Sequence, residues 1–281
     1  MVANTMRAIF LLAVLLLSAP GAYAGQQPVR FGLTAAVVRQ NLGLYARWAA
    51  YLGRKIGRPV KFVQRRSYRE AIDLLQDDEV EFSWICSFPY VKYRNSKLFG
   101  LMVVPEFEGK PLYQSYIIVN KSDPSQTLDD LKNRVFAYED PDSNTGYMVP
   151  RQMIANLGFD PDTFFRRTFF TYSHREQIEA VAAHVADGAG VDSYVWHYLS
   201  KREPQLTGQT RIIQRSNTFG FPPLVYRLGI GDDLRIRMTN AFLDMNKDPQ
   251  GRALLSQMML DRFIPGNPHL YDNIPVQLDR R

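Results

Sequence analysis

Short apolar segments alternate with amphipathic helical ones along almost the whole chain, and that order leaves few architectures open. Residues 29–33 (Val-Arg-Phe-Gly-Leu) read as a strand. Residues 40–56 read as a helix with Leu44, Trp48, Leu52 and Ile56 on one face. Residues 60–63 form the next strand, and Ser67-Tyr68-Arg69-Glu70 is a capping box that opens a second helix. A strand over 80–85 and a helix starting near Phe88 follow. Such a βαβαβ run predicts a mostly parallel sheet with helices on both faces.

The second half repeats the scheme. Strands are expected at 115–119, 134–138, 168–170 and 190–192, with helices after Ser143, after the capping box Ser173-His174-Arg175-Glu176, and over 194–199. Strands at 211–214 and 222–226 and helices over 234–247 and 249–259 complete it. The tail from Pro265 onward, rich in proline and polar residues, is expected to pack loosely or to wrap the surface. The fold class is therefore α/β with two lobes. Lobe 1 comprises residues 28–112 and 216–281, lobe 2 residues 113–215, and the two crossings make a hinge. In open α/β sheets a ligand lies outside the carboxyl ends of the strands, which here face the cleft.

Residues 1–24 precede this pattern and read as a cleaved secretory signal peptide: Arg7, an apolar run over 8–19, and the small-x-small site Ala22-Tyr23-Ala24. Export to the periplasm follows. No later stretch is apolar enough to cross a membrane. The net charge of +6 is modest and scattered, with paired rather than striped arginines. It suits an anionic ligand and does not describe a nucleic-acid surface. No Gly-x-Ser-x-Gly elbow, zinc-type His/Glu cluster or P-loop is present, so neither catalysis, a metal nor a cofactor is expected.

The densest set of polar residues follows the strand at 134–138: Asp140-Pro141-Asp142-Ser143-Asn144-Thr145-Gly146-Tyr147. Ser143, Asn144 and Thr145 at a helix start can cradle a small anion through hydroxyl, amide and backbone groups. They can equally cap their own helix. Pro150 predicts a kink or a short first turn.

Asp-Pro-x-Ser-x-Thr-Gly-Tyr-x-Val-Pro resembles the signature of the PhnD-like family of phosphonate, phosphite and phosphate periplasmic binding proteins. Ser143-Asn144-Thr145 stands where that family usually has Ser-Thr-Ser, and the similarity spans about residues 29–265. The resemblance implies a type II periplasmic binding protein fold that closes around its ligand and delivers it to an ABC permease. It implies ligand contacts from Tyr68, Tyr90, Ser143, Asn144, Thr145, His174 and Asp192. His174 would donate a hydrogen bond and gain basicity beside an anion. Asp192 would accept from a protonated oxygen or an amine. On the residues alone, packing (Tyr68, Tyr90) and capping (His174, Asp192) account for the same positions.

Cys86, the single cysteine, departs from the family pattern in Ile85-Cys86-Ser87-Phe88-Pro89-Tyr90. It reads either as a small buried hydrophobe or as a soft ligand. The second reading resembles the arsenite-sensing AioX-like branch, which reports to a membrane sensor kinase. A monomer is expected in either case.

Overall fold

The computed structural model describes residues 27–34 and 42–276. The expected signal peptide lies outside the described residues, as does the segment between the first strand and first helix.

The chain begins with β1 (Val29–Leu33), α1 (Leu42–Ile56), β2 (Val60–Gln64), α2 (Tyr68–Gln76), β3 (Phe82–Trp84), α3 (Ser87–Tyr93) and β4 (Phe99–Glu106). It crosses through β5 (Leu112–Tyr113) into β6 (Ser115–Asn120), β7 (Val135–Tyr138), α4 (Val149–Asn156), β8 (Arg167–Phe170), α5 (His174–Ala182), β9 (Gly188–Asp192), α6 (Ser193–Arg202), α7 (Pro204–Thr207) and β10 (Thr210–Arg215). It returns through β11 (Phe219–Gly220) to β12 (Leu224–Arg227), α8 (Asp232–Leu243), α9 (Pro249–Met258) and β13 (Arg262–Pro265).

Two sheets result, ordered β13-β4-β12-β3-β1-β2 and β10-β6-β9-β7-β8. The parallel expectation holds for the βαβ units, where β1 pairs with β2 and β3, and β7 pairs with β8 and β9. Each sheet as a whole is mixed. The strands next to the crossings, β12, β4, β13, β6 and β10, pair antiparallel. Strands β4, β5, β11 and β13 have no counterpart among those expected from the sequence. The two crossings pair with each other as a small antiparallel ribbon, β11 with β5.

The predicted face of α1 is buried, with Leu44, Trp48, Leu52 and Ile56 each at most 5% exposed. Trp48 packs against Phe31, Phe62 and Phe242, which ties α1 to the first sheet and to α8. The tail does not pack loosely. Tyr271 is fully buried and its hydroxyl donates to the Phe221 carbonyl at 2.9 Å, while Asn273 donates to Thr218 at 2.8 Å. The tail is thus a strap across the returning crossing, anchored because burying one tyrosine with its hydroxyl satisfied stabilises the folded state by a few kcal/mol, on the order of 2.

Candidate functional site

The strand ends of both sheets face a common cavity. It is lined by Thr34 after β1, Tyr68 at the start of α2, Trp84 at the end of β3 with Ile85 and Cys86 after it, Thr145, His174, Asp192, Tyr194 and Val195 from the second lobe, and Phe221 and Pro222 from the returning crossing. Its enclosed volume is about 20 Å³, of the order needed for a single water. The lobes already lie against each other here.

Helix capping positions several of these residues. Ser67 and Glu70 form the full reciprocal capping box, which sets Tyr68 as the first residue of α2. Ser173 accepts from the Glu176 amide at 3.4 Å and places His174 likewise on α5. Asp192 ends β9, and one of its oxygens accepts from the Tyr194 and Val195 amides at 2.7 and 3.3 Å. The cap and the site therefore coexist in one residue, because a carboxylate has a second oxygen.

The segment after β7 differs from a simple helix start. Residues Asn144–Met148 form a π-helical turn, with Met148 N–H donating to Ser143 O at 3.0 Å, before α4 begins with Pro150 in its first turn. The expected proline kink is thus absorbed as a widened turn, a geometry often found at functional sites. Ser143 acts as its cap, accepting from Gly146 N–H at 3.0 Å. Asn144 donates from its side chain to the Tyr113 hydroxyl at 3.0 Å and from its backbone to Cys86 Sγ at 3.4 Å. Only Thr145 of the three lines the cavity. Gly190 allows this turn to sit on β9: a side chain there would meet Pro150 at 2.4 Å and the Thr145 carbonyl at 3.1 Å.

Of the predicted site residues, Tyr68, Cys86, Thr145, His174 and Asp192 line one cavity, and Ser143 and Asn144 frame it. Tyr90 lies elsewhere. Its ring packs against Tyr271 at 4.5 Å and Phe99 at 6.1 Å, because the strap draws it into the first lobe's core. Sequence reasoning missed the apolar wall of Trp84, Tyr194 and Phe221, and it missed Glu139.

The ionisable groups are buried and shifted accordingly. Burial raises Asp192 to about 7 and pushes the Cys86 thiol up to about 12. Burial lowers His174 to about 4, against the Gln177 contact. That contact is 2.8 Å from His174 Nδ1 to Gln177 Oε1, and Gln177 is oriented by its own donation to the Ala137 carbonyl at 2.9 Å. The network therefore assigns the proton to Nδ1 and the lone pair to Nε2. The 3.4 Å approach of the Asp192 amide to Nδ1 is the weaker contact. His174 is thus neutral, with Nε2 an acceptor. Beside it Thr145, Tyr68 and Cys86 supply O–H and S–H groups. The cavity offers both donors and acceptors to a small polar ligand, with an aromatic wall for an apolar substituent.

Contacts across the cleft surround the cavity. Tyr68 N–H donates to Asp140 Oδ2 at 2.9 Å, Lys92 pairs with Asp142 at 2.7 Å, and Arg66 stacks over Tyr172 at 5.0 Å. On the opposite side the Tyr194 hydroxyl donates to the Met258 carbonyl at 2.7 Å. Among the described residues no helix is long and apolar enough to cross a membrane, and no group of three or more His, Cys, Asp or Glu could hold a metal ion.

Comparison with known proteins gives a consistent picture. The family model for the phosphonate periplasmic substrate-binding protein of ABC transporters matches residues 31–271. The phosphonates-binding periplasmic protein of Escherichia coli K12 is 25% identical over 253 residues, covering 86% of this chain and 73% of that protein. A binding protein component of an ABC phosphonate transporter from Pseudomonas aeruginosa superposes with a TM-score of 0.81 at 23% identity, over 88% of this chain and 84% of that one. PhnD1 from Prochlorococcus marinus MIT 9301, solved with methylphosphonate, superposes with a TM-score of 0.78 at 18% identity, over 88% and 95%. The likeness to these structures bears out the two-lobed type II fold.

Proposed function

Since the chain belongs to the family of phosphonate periplasmic substrate-binding proteins of ABC transporters, we propose that it captures a small phosphorus oxyanion (a phosphonate, phosphite or phosphate) in the interlobe cavity and delivers it to an ABC permease. The observation that carries this reading is the convergence of Tyr68, Thr145, His174 and Asp192, from four separate segments and both lobes, on one cavity. In this reading lobe 1 comprises residues 28–112 with 216–281 and lobe 2 residues 113–215, and the protein acts in the periplasm after loss of residues 1–24. It works as a monomer and binds rather than transforms its ligand.

The protonation states narrow the ligand. Thr145 and Tyr68 donate to bare oxygens. His174 Nε2 accepts, and so does the free oxygen of Asp192 once it is ionised, so the ligand brings at least one hydrogen of its own. A hydrogen phosphonate, a hydrogen phosphite or an aminoalkylphosphonate satisfies both sets, and the aromatic wall suits a carbon substituent on phosphorus. A ligand of several heavy atoms enters a space this tight only if the lobes part, which fits a ribbon of two crossings as hinge. The direct test is the thermal shift of the purified protein with methylphosphonate, aminoethylphosphonate, phosphite and phosphate. A rise with one or more of them is expected, and none with any would overturn the reading.

A second reading rests on Cys86, whose thiol lines the cavity. Arsenite could exchange one hydroxyl for this sulfur with release of water, and the protein would then serve a membrane histidine kinase as a sensor. Burial keeps the sulfur protonated, which opposes attack by thiolate. Stabilisation by arsenite alone, lost in Cys86→Ser, would favour this reading over transport.

A further inference from the structure

Glu139 follows β7 and lies directly behind the cavity. It is 1% exposed, and neither side-chain oxygen has a hydrogen-bond partner among the described residues. The Ser143 and Tyr68 hydroxyls neighbour it, though neither meets it in normal hydrogen-bond geometry. The fold makes room for it. A side chain at Gly146 would come within 2.4 Å of Glu139 Cβ, 2.8 Å of Ser143 Oγ and 3.1 Å of His174 Cε1. A buried carboxyl without a partner is costly to keep, and an apolar residue of similar size would avoid that cost. Its retention behind the ligand site calls for a role.

We propose that Glu139 is a positioning residue: its carboxyl acts on the Tyr68 hydroxyl so that Tyr68 donates into the cavity, favouring ligands that present a bare oxygen there. This deepens the oxyanion reading and rests on it. The direction of the chain follows from the hydroxyls. Ser143 Oγ already accepts from Gly146 N–H, so its own proton is available to a carboxyl oxygen. The acid's O–H is then left for the Tyr68 oxygen, and the Tyr68 proton turns to the ligand. This requires the protonated acid. Burial first, then the neighbouring Asp140, push Glu139 well above the ordinary carboxyl range.

The surroundings agree. Glu139 faces Tyr68 from α2, Cys86 from the turn before α3, Asp140 and Ser143 from its own loop, His174 from α5 across Gly146, and Asp192 from β9. None of these carries a positive charge, since burial holds His174 neutral. An ionised Glu139 would instead take the Tyr68 proton and withdraw it from the ligand. Affinity for a bare oxygen therefore falls at high pH as Glu139 ionises.

The test compares wild type, Glu139→Gln and Glu139→Leu in the full mature protein, with methylphosphonate, phosphite and phosphate as probes. The amide of Glu139→Gln still donates to Tyr68, so binding within about threefold of wild type is expected at neutral pH, with a shallower decline at high pH than wild type, because only the part set by Asp192 remains. Glu139→Leu removes an unsatisfied polar group, so its melting temperature is expected to be equal or higher. Its affinity is expected to fall about tenfold, the size of one lost ligand hydrogen bond. A residue that only supports the fold would not give unchanged or higher stability with weaker binding. Equal affinity in Glu139→Leu would overturn the proposal. Infrared difference spectra of wild type against Glu139→Gln should show the carbonyl band of an uncharged acid at neutral pH. A carboxylate band there would overturn the proposal whatever the site binds. Wild type binding none of the three probes would defeat the oxyanion reading separately.

Discussion

Asp192 is the residue at which fold and ligand compete most openly. Its ordinary value is 3.8 and burial raises it to about 7, so folding favours the protonated form. That contribution is whole below about pH 4 and is lost as pH rises through 7. Asp192→Asn stays uncharged and still caps α6. It is therefore expected to be more stable than wild type by on the order of 3 kcal/mol near pH 8, with the gap closing toward pH 4; melting temperatures across that range check it. His174 has the opposite sign, since its lowered value makes its stabilisation whole above 6.5 and lost as pH falls toward 4, but it is common to both proteins and cancels. Thr145→Val keeps the shape and removes one donor. Affinity for the stabilising oxyanion is expected to drop by about 10- to 100-fold, and an unchanged dissociation constant would move the anion away from the π turn. At this scale the sequence was informative where a local signal marks a position. Capping motifs announced Tyr68 and His174, and a strand end announced Asp192. Trp84, Tyr194 and Phe221 carry no such mark, because an apolar residue that walls a cavity has the same local pattern as one that fills a core. Glu139 was hidden for a related reason: burial of a charged residue is a tertiary fact.

At the scale of elements, the regular helices and βαβ units were readable from periodicity, and α1 buries the face that its spacing predicts. The strands that escaped notice are of two kinds. β4 is an almost unbroken apolar run containing Pro105, which neither alternates nor shows a helical period. β5, β11 and β13 are short, and β13 is an edge strand that ends in Pro265. Pairing partners far along the chain define them. The π turn was also out of reach, since the same Ser-Asn-Thr-Gly would cap an ordinary helix. Its packing gives a prediction. Gly146→Ala would press on the Glu139 Cβ at 2.4 Å and on Ser143 Oγ at 2.8 Å, and is expected to destabilise by about 1–3 kcal/mol, read as a lower denaturant midpoint. A midpoint equal to wild type would mean that the turn yields more easily than its packing indicates.

The whole molecule is two lobes joined by the β5–β11 ribbon and bound by the tail strap. The contacts that hold the lobes together at the mouth of the cavity, Lys92–Asp142 and Tyr68–Asp140 among them, involve no ligand atom. They bias the molecule toward closure, and a ligand adds its own contacts to that bias. Lys92→Ala is therefore expected to weaken ligand affinity a few-fold without touching the cavity, in keeping with about 0.2–1 kcal/mol for a partly exposed ion pair. Scattering curves of this variant should show a larger average size than wild type before ligand is added. Calorimetric titration of the protein with methylphosphonate, phosphite, phosphate and arsenite shows whether residues from both lobes close on a phosphorus oxyanion. One-to-one binding of at least one phosphorus oxyanion is expected, sharply weakened in Tyr68→Phe, Thr145→Val and Asp192→Asn alike. Binding of arsenite alone, or oxyanion binding untouched by all three substitutions, would contradict it.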